Sequence, residues 1–200
     1  MRNYYNNFVS KNFRVLDIMN TEMKERKLNR LKYYDYSQNG YYFVTICTKN
    51  REAWFGKIES GKMILNMFGE ITKNFWVEIP KHFKNVSLDE FIVMPNHIHG
   101  IVIIVGNAYM RSLQDRTKML LSRIIQQYKS SVTREINSLQ NDFCFKWHKS
   151  FYDHIIKDEK TLNNIREYIT NNPLKWESDI ENEINLKESN KDYYKKIIEG

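Results

Sequence analysis

The sequence predicts an α+β fold of the ferredoxin-like kind, a split βαβ arrangement (βαββαβ) with an antiparallel sheet and an added C-terminal helix. Three observations carry that prediction. Gly40-Tyr41-Tyr42-Phe43-Val44-Thr45-Ile46-Cys47-Thr48 is an aromatic and β-branched run with the composition of a strand. Phe91-Ile92-Val93-Met94 and Ile101-Val102-Ile103-Ile104-Val105 are two more, and the turn dipeptide Pro95-Asn96 between them makes a hairpin. Leu113, Thr117, Leu120, Ile124, Tyr128, Val132 and Leu139 recur at three-to-four spacing, which is the stripe of a long helix.

The elements follow in order. Residues 1–30 are polar and mixed in charge and read as an extension, residues 31–176 as the domain, and residues 177–200 as an acidic tail. After the first strand, Gly56 and Gly61 punctuate a short ribbon over residues 53–68, and a helix over residues 69–79 is expected to stop at Pro80. The hairpin and the long helix come next, then an aromatic-rich strand over residues 143–156 and a last helix over residues 158–172. In this topology two helices cover one face of the sheet and leave the other for function.

Composition narrows the function classes. A chain of 200 residues, 42% apolar and 14% aromatic, holds a core of ordinary size. Cys47 and Cys144 match no zinc or redox spacing and argue against a disulfide-stapled secreted fold, so a cytoplasmic setting is expected. No apolar run reaches membrane-spanning length, and residues 1–7 lack the apolar core of a signal peptide. The net charge is +7; the segment after Trp176 carries seven acidic and four basic residues, a net −3 that leaves +10 on the first 176. Such an excess suits a phosphate-rich partner, or simple solubility.

The chemistry concentrates at His97 and His99. Positions i and i+2 of a strand face the same way, so two imidazoles at the start of the second hairpin strand converge on one point, as a metal requires. For this motif alone, a pair of ordinary half-buried strand histidines is the competing reading. The last helix adds weight, because Leu162, Ile165 and Ile169 form a stripe able to pack beside Ile101 and Ile103, which share their direction with the histidines. That packing brings the Tyr168 hydroxyl and, one turn on, the Asn172 amide oxygen toward the imidazoles. The result is a His, His, Asn site for a divalent metal with open positions for water and phosphate. It fits phosphoryl transfer, in which a metal neutralises charge and a positioned phenol attacks, although no base for that phenol is evident. Taken singly, Tyr168 reads as a packing residue and Asn172 before Pro173 as a helix stop.

Four motifs span residues 30–179: Tyr34-Asp35-Tyr36-Ser37 with the strand at residues 40–48, Met94-Pro95-Asn96-His97-Ile98-His99-Gly100, Ser150-Phe151-Tyr152-Asp153-His154-Ile155-Ile156, and Tyr168-Ile169-Thr170-Asn171-Asn172-Pro173. In this order they resemble the REP-associated tyrosine transposases, a branch of the single-tyrosine HUH transposases similar to insertion-sequence enzymes that act on single-stranded DNA. The resemblance implies that His97 and His99 bind the metal, Mg²⁺ or Mn²⁺, that Tyr168 is the nucleophile, and that Asn172 is the third ligand where the insertion-sequence branch has glutamine. It also implies nicking and rejoining through a 5′-phosphotyrosine bond and a free 3′-hydroxyl, without ATP. The implied substrate is a single-stranded DNA hairpin or repeat, met at the nucleoid by a monomer or homodimer. Residues 1–29 and the acidic tail fall outside the match, and His148 stands where many relatives carry glutamine.

With DNA as substrate, Arg111, Arg116, Lys118, Arg123, Lys129 and Arg134 become a backbone-contact surface, and Arg30 and Lys32 beside Tyr33, Tyr34 and Tyr36 a second one. A solvated helix face and ordinary packing compete with those readings. His154 reads as structural. Three rival functions remain. An RRM-like binding module shares the topology, but its aromatic strand is the third and it leaves His97, His99 and Tyr168 unexplained. A plasmid-replication or relaxase-type HUH nickase shares the histidine pair, and the Tyr168-to-Pro173 helix points away from it. A metal hydrolase wants a carboxylate or third histidine beside the pair, and the sequence shows neither.

Overall fold

Alternation along β1 (Gly40–Cys47) divides the molecule: Tyr42, Val44 and Ile46 face one core, while Phe43 faces the other. The computed structural model describes residues 40–105, 120–139, 144–182 and 190–199. The expectations for residues 1–39, including Arg30 and Lys32, and for Arg111, Arg116 and Lys118 lie outside them. A 3-10 turn (Lys49–Arg51) leads from β1 to the ribbon β2 (Gly56–Glu59) and β3 (Lys62–Leu65). Then follow α1 (Met67–Val77), α2 (Ile79–His82), β4 (Val86–Val93), β5 (His97–Ile104) and α3 (Leu120–Ser138). β6 (Tyr152–Ile156), α4 (Glu159–Asn171), a 3-10 segment (Asn172–Ser178) and α5 (Asn190–Glu199) complete the described chain.

The main sheet has the order β4-β5-β1-β6, and every neighbouring pair is antiparallel. This is the expected ferredoxin-like architecture, with the ribbon inserted between the first strand and the first helix. On one face, Ile98, Val102 and Ile104 of β5 join the β1 residues under Trp76 of α1 and Leu121, Ile124, Ile125, Tyr128, Val132 and Ile136 of α3. On the other face, Phe43, Ile101 and Ile156 meet Leu162, Ile165, Tyr168 and Ile169 of α4 and Tyr194 of α5. Local caps agree with this plan: Asn66 accepts from Gly69 N at 3.0 Å to start α1, and Asp158 from Thr161 N at 2.8 Å to start α4.

Two sequence expectations need correction. Pro80 does not end a helix; α1 stops at Val77, and Pro80 sits in the first turn of α2, where its missing N–H leaves no bond unmade. The strand expected over residues 143–156 is only Tyr152–Ile156, preceded by an isolated bridge from Thr48 to Trp147. Phe145 and Trp147 satisfy their apolar character by packing on Phe55, at ring separations of 5.7 and 5.4 Å, rather than by strand pairing.

Gly100 explains how α1 approaches β5 so closely. A Cβ at this position would lie 2.4 Å from Cζ2 of the fully buried Trp76. Gly100→Ala is therefore expected to lower the unfolding free energy by about 1–3 kcal/mol, as overpacking does. Denaturant titration checks it, and an unchanged midpoint would show that Trp76 has room to withdraw.

Candidate active site

The start of β5 places two histidines on the face turned toward α4. In the antiparallel register His97 lies opposite Cys47 and His99 opposite Thr45, so these side chains share that face. Thr45 Oγ1 sits 2.9 Å from His99 Nδ1. The turn residue Asn96 sets the other imidazole: its Nδ2 donates to the carbonyls of Arg51 and Glu181, each at 2.9 Å. The amide oxygen must then face His97, and Oδ1 lies 2.8 Å from His97 Nδ1. His97 Nδ1 consequently carries the proton, and Nε2 keeps its lone pair.

That Nε2 is buried and has no hydrogen-bond partner among the described residues. Burial, and then the Arg51 charge, hold the His97 pKa well below its ordinary value; burial and then His97 do the same to His99. Both imidazoles are neutral, the form that ligates a metal.

Helix α4 brings the second half of the site. Its apolar stripe seats it on the sheet, and Arg166 fixes it to β4 by donating from Nε and Nη2 to the two Asp89 oxygens at 3.0 and 2.6 Å. The hydrogen bonds from Arg166 hold the Asp89 carboxyl below its usual pKa. Its contribution to stability is thus present above roughly pH 4 and is lost as pH falls through the lowered folded value. Asp89→Asn is expected to cost about 1 kcal/mol of stability at neutral pH, with a smaller cost in acid. Equal cost at both pH values would show that the carboxylate charge is not what holds α4.

So seated, Tyr168 has its hydroxyl oxygen 3.0 Å from His99 Nε2 and donates to Asp179 Oδ2 at 3.1 Å. Burial first, and the Asp179 charge second, push its pKa well above the ordinary phenol value. One turn on, Asn172 Nδ2 donates to the same Asp179 Oδ2 at 2.5 Å, while Asn172 Oδ1 is buried without a partner. Two acceptors, His97 Nε2 and Asn172 Oδ1, therefore stand buried and unbonded, as a bound cation would require. The donor atoms of His97, His99 and Asp179 all lie within 4.8 Å of one another. A divalent metal fits this donor set.

Asp179 was missed by sequence reasoning, and it supplies the carboxylate whose absence counted against metal chemistry of the hydrolase type. It follows the 3-10 segment, where no strand or helix period announces a direction. The segment read as an acidic tail is in part built into the fold. Asp179 and Glu181 are fully buried, and Glu181 is paired with Arg51 and accepts from Tyr194 Oη at 2.7 Å. His97, His99 and Asn172 have no exposure and Tyr168 only 6%, with Trp176 over His97 and Tyr194 over His99.

The remaining candidates are not brought to this point. α3 covers the opposite face of the sheet; Arg123 is exposed on it, and Lys129 is half-buried and donates to the His148 carbonyl at 2.7 Å. Burial pushes the Lys129 pKa down to about 8. His154 lies opposite Phe43 and is half-buried on the site face, outside the group of potential metal ligands.

Residues 36–172 match the family described as "Transposase IS200 like". A relative from Haemophilus influenzae, described as an uncharacterized protein, is 39% identical over 171 residues, covering 80% of this chain and 94% of its own. A solved structure of a REP-associated tyrosine transposase bound to a REP hairpin is similar at a TM-score of 0.52 and 19% identity, covering 74% of each chain. A solved putative transposase from Deinococcus radiodurans is 17% identical, with a TM-score of 0.43 over 71% of this chain and 97% of its own.

Proposed function

This chain belongs to the IS200-like transposase family, and from that premise we propose that it nicks and rejoins single-stranded DNA through Tyr168, with a divalent metal held by His97, His99 and Asn172. One observation carries the reading. The Tyr168 hydroxyl lies 3.0 Å from His99 Nε2, while His97 Nε2 and Asn172 Oδ1 stand buried without partners beside it. These contacts support a nucleophile beside a histidine pair with acceptors available to a metal.

In the reaction, Tyr168 Oη attacks a backbone phosphorus, the phosphorus to 3′-oxygen bond breaks, and a 5′-phosphotyrosine forms. The phenol proton ends on the departing 3′-hydroxyl, so the exchange balances without ATP, and the reverse step rejoins the strand. When bound, Mg²⁺ or Mn²⁺ supplies charge neutralisation for the phosphodiester oxygens. The neutral imidazoles and the buried, unpartnered Asn172 oxygen are the groups that would hold it, and the two imidazoles favour Mn²⁺ in intrinsic affinity. A strand reaches Oη only when the residues around it shift, since Tyr168 is almost fully enclosed.

The hairpin named with the similar solved structure supports a hairpin or repeat as substrate. Backbone contacts are proposed for Arg30, Lys32, Arg111, Arg116 and Arg123; Lys129 is proposed with them only where it leaves the His148 carbonyl.

The test is incubation of the full chain and Mn²⁺ with single-stranded hairpins taken from inverted repeats beside its gene. The expected product is a covalent protein–DNA adduct that survives a denaturing gel, with a free 3′-hydroxyl on the other fragment. Hairpin binding without adduct at any metal concentration would sink the reading and favour a binding module.

A further inference from the structure

We propose that Asp179 is the charged ligand of this metal site in the DNA-free protein, delivered by the segment after α4; the proposal rests on the metal reading of His97 and His99 given above. The distances suit it. Cis ligands of a six-coordinate Mg²⁺ lie roughly 3 Å apart and trans ligands about 4.2 Å, close to the spread within 4.8 Å found here. Small rotations of the side chains close the difference.

Charge makes the same demand. His97, His99 and Asn172 are neutral ligands, and a divalent cation taken into a fully buried site with neutral ligands alone keeps both charges uncompensated. Of the four candidate ligands only Asp179 carries a negative charge. Two imidazoles and one carboxylate also form a donor set common for first-row divalent metals.

The position of Asp179 is built rather than incidental. Its Oδ2 accepts from Asn172 Nδ2, which turns that amide so that Oδ1 is left facing away from the bond. Its Oδ1 accepts from Glu181 N at 2.7 Å. Glu181 is anchored by Arg51, by Tyr194, and through its carbonyl by Asn96, the residue that sets the His97 tautomer. One network therefore orients a histidine at one end and the carboxylate at the other.

The experiment titrates Mn²⁺ into the full chain without DNA and reads the loss of the free-ion electron paramagnetic resonance signal. Asp179→Asn is expected to weaken Mn²⁺ at least tenfold, and Asp179→Glu, which keeps a carboxylate, much less. His97→Ala is the control for the site. Wild-type affinity in Asp179→Asn with lost affinity in His97→Ala overturns the Asp179 proposal and leaves the metal reading standing. Wild-type affinity in both overturns the two together. Where circular dichroism shows that the Asn variant does not fold, Asp179→Ser removes the same charge without placing an amide among the donors and answers the same question.

Discussion

Tyr168→Phe is expected to fold, to bind the hairpin, and to form no covalent bond with DNA. The substitution removes a single oxygen from a side chain whose ring packs edge-on against Phe43 at 6.2 Å and Tyr194 at 6.4 Å, and phenylalanine keeps those contacts. The hydrogen bonds of the hydroxyl are lost, among them those with His99 and to Asp179. Asp179 retains its bonds from Asn172 and from the Glu181 amide, so the cost in stability is about 1 kcal/mol. The chemical cost is complete, because no other group takes the place of the phenol oxygen next to His99 Nε2. Tyr194, the other buried tyrosine in this core, directs its hydroxyl to Glu181 instead. A denaturing gel of the Mn²⁺ reaction reads the adduct, and its formation at the wild-type level by Tyr168→Phe would remove Tyr168 from the role of nucleophile.

The parts of this site that follow local periodicity were legible in the sequence. His97 and His99 share a face because strands alternate, and Tyr168 and Asn172 lie one turn apart because helices repeat every 3.6 residues. The sheet order followed from the sequence of elements. What escaped was placed by side-chain bonds that leave no period. Asn96 reads as turn chemistry, yet its amide bridges two carbonyls and sets the His97 tautomer. Asp179 and Glu181 sit in a stretch that reads as a solvated acidic tail, and only the coiling of Asn172–Ser178 turns them inward. The basic residues of α3 show the converse. Their charge is plain in the sequence, but the helix that carries Arg123 and Lys129 covers the face of the sheet away from the histidines. Composition recorded that they are basic and could not record which side they occupy.

His97→Ala is expected to abolish cleavage while leaving hairpin binding within about threefold of wild type, a change smaller than ~1 kcal/mol. The imidazole touches the Asn96 amide oxygen on one side and offers a bare lone pair on the other, so its loss removes one proposed metal ligand and leaves one amide oxygen to find water. The second effect lowers stability by about 1–3 kcal/mol, readable as a lower denaturant midpoint. The first removes several kcal/mol of transition-state stabilisation, roughly a thousandfold or more in rate. Binding is expected to be spared because His97 has no exposure and offers a bound strand no surface of its own. The two readouts thus separate structure from chemistry. Loss of binding and cleavage together in a chain with a lowered midpoint would mark His97 as a core residue, whereas retained cleavage would mean that the reaction does not pass through this histidine pair. The Asn96 bonds argue for the chemical role: a purely structural histidine in a dry core gains by bonding through both nitrogens, and this one is held by its Nδ1 so that its Nε2 stays free.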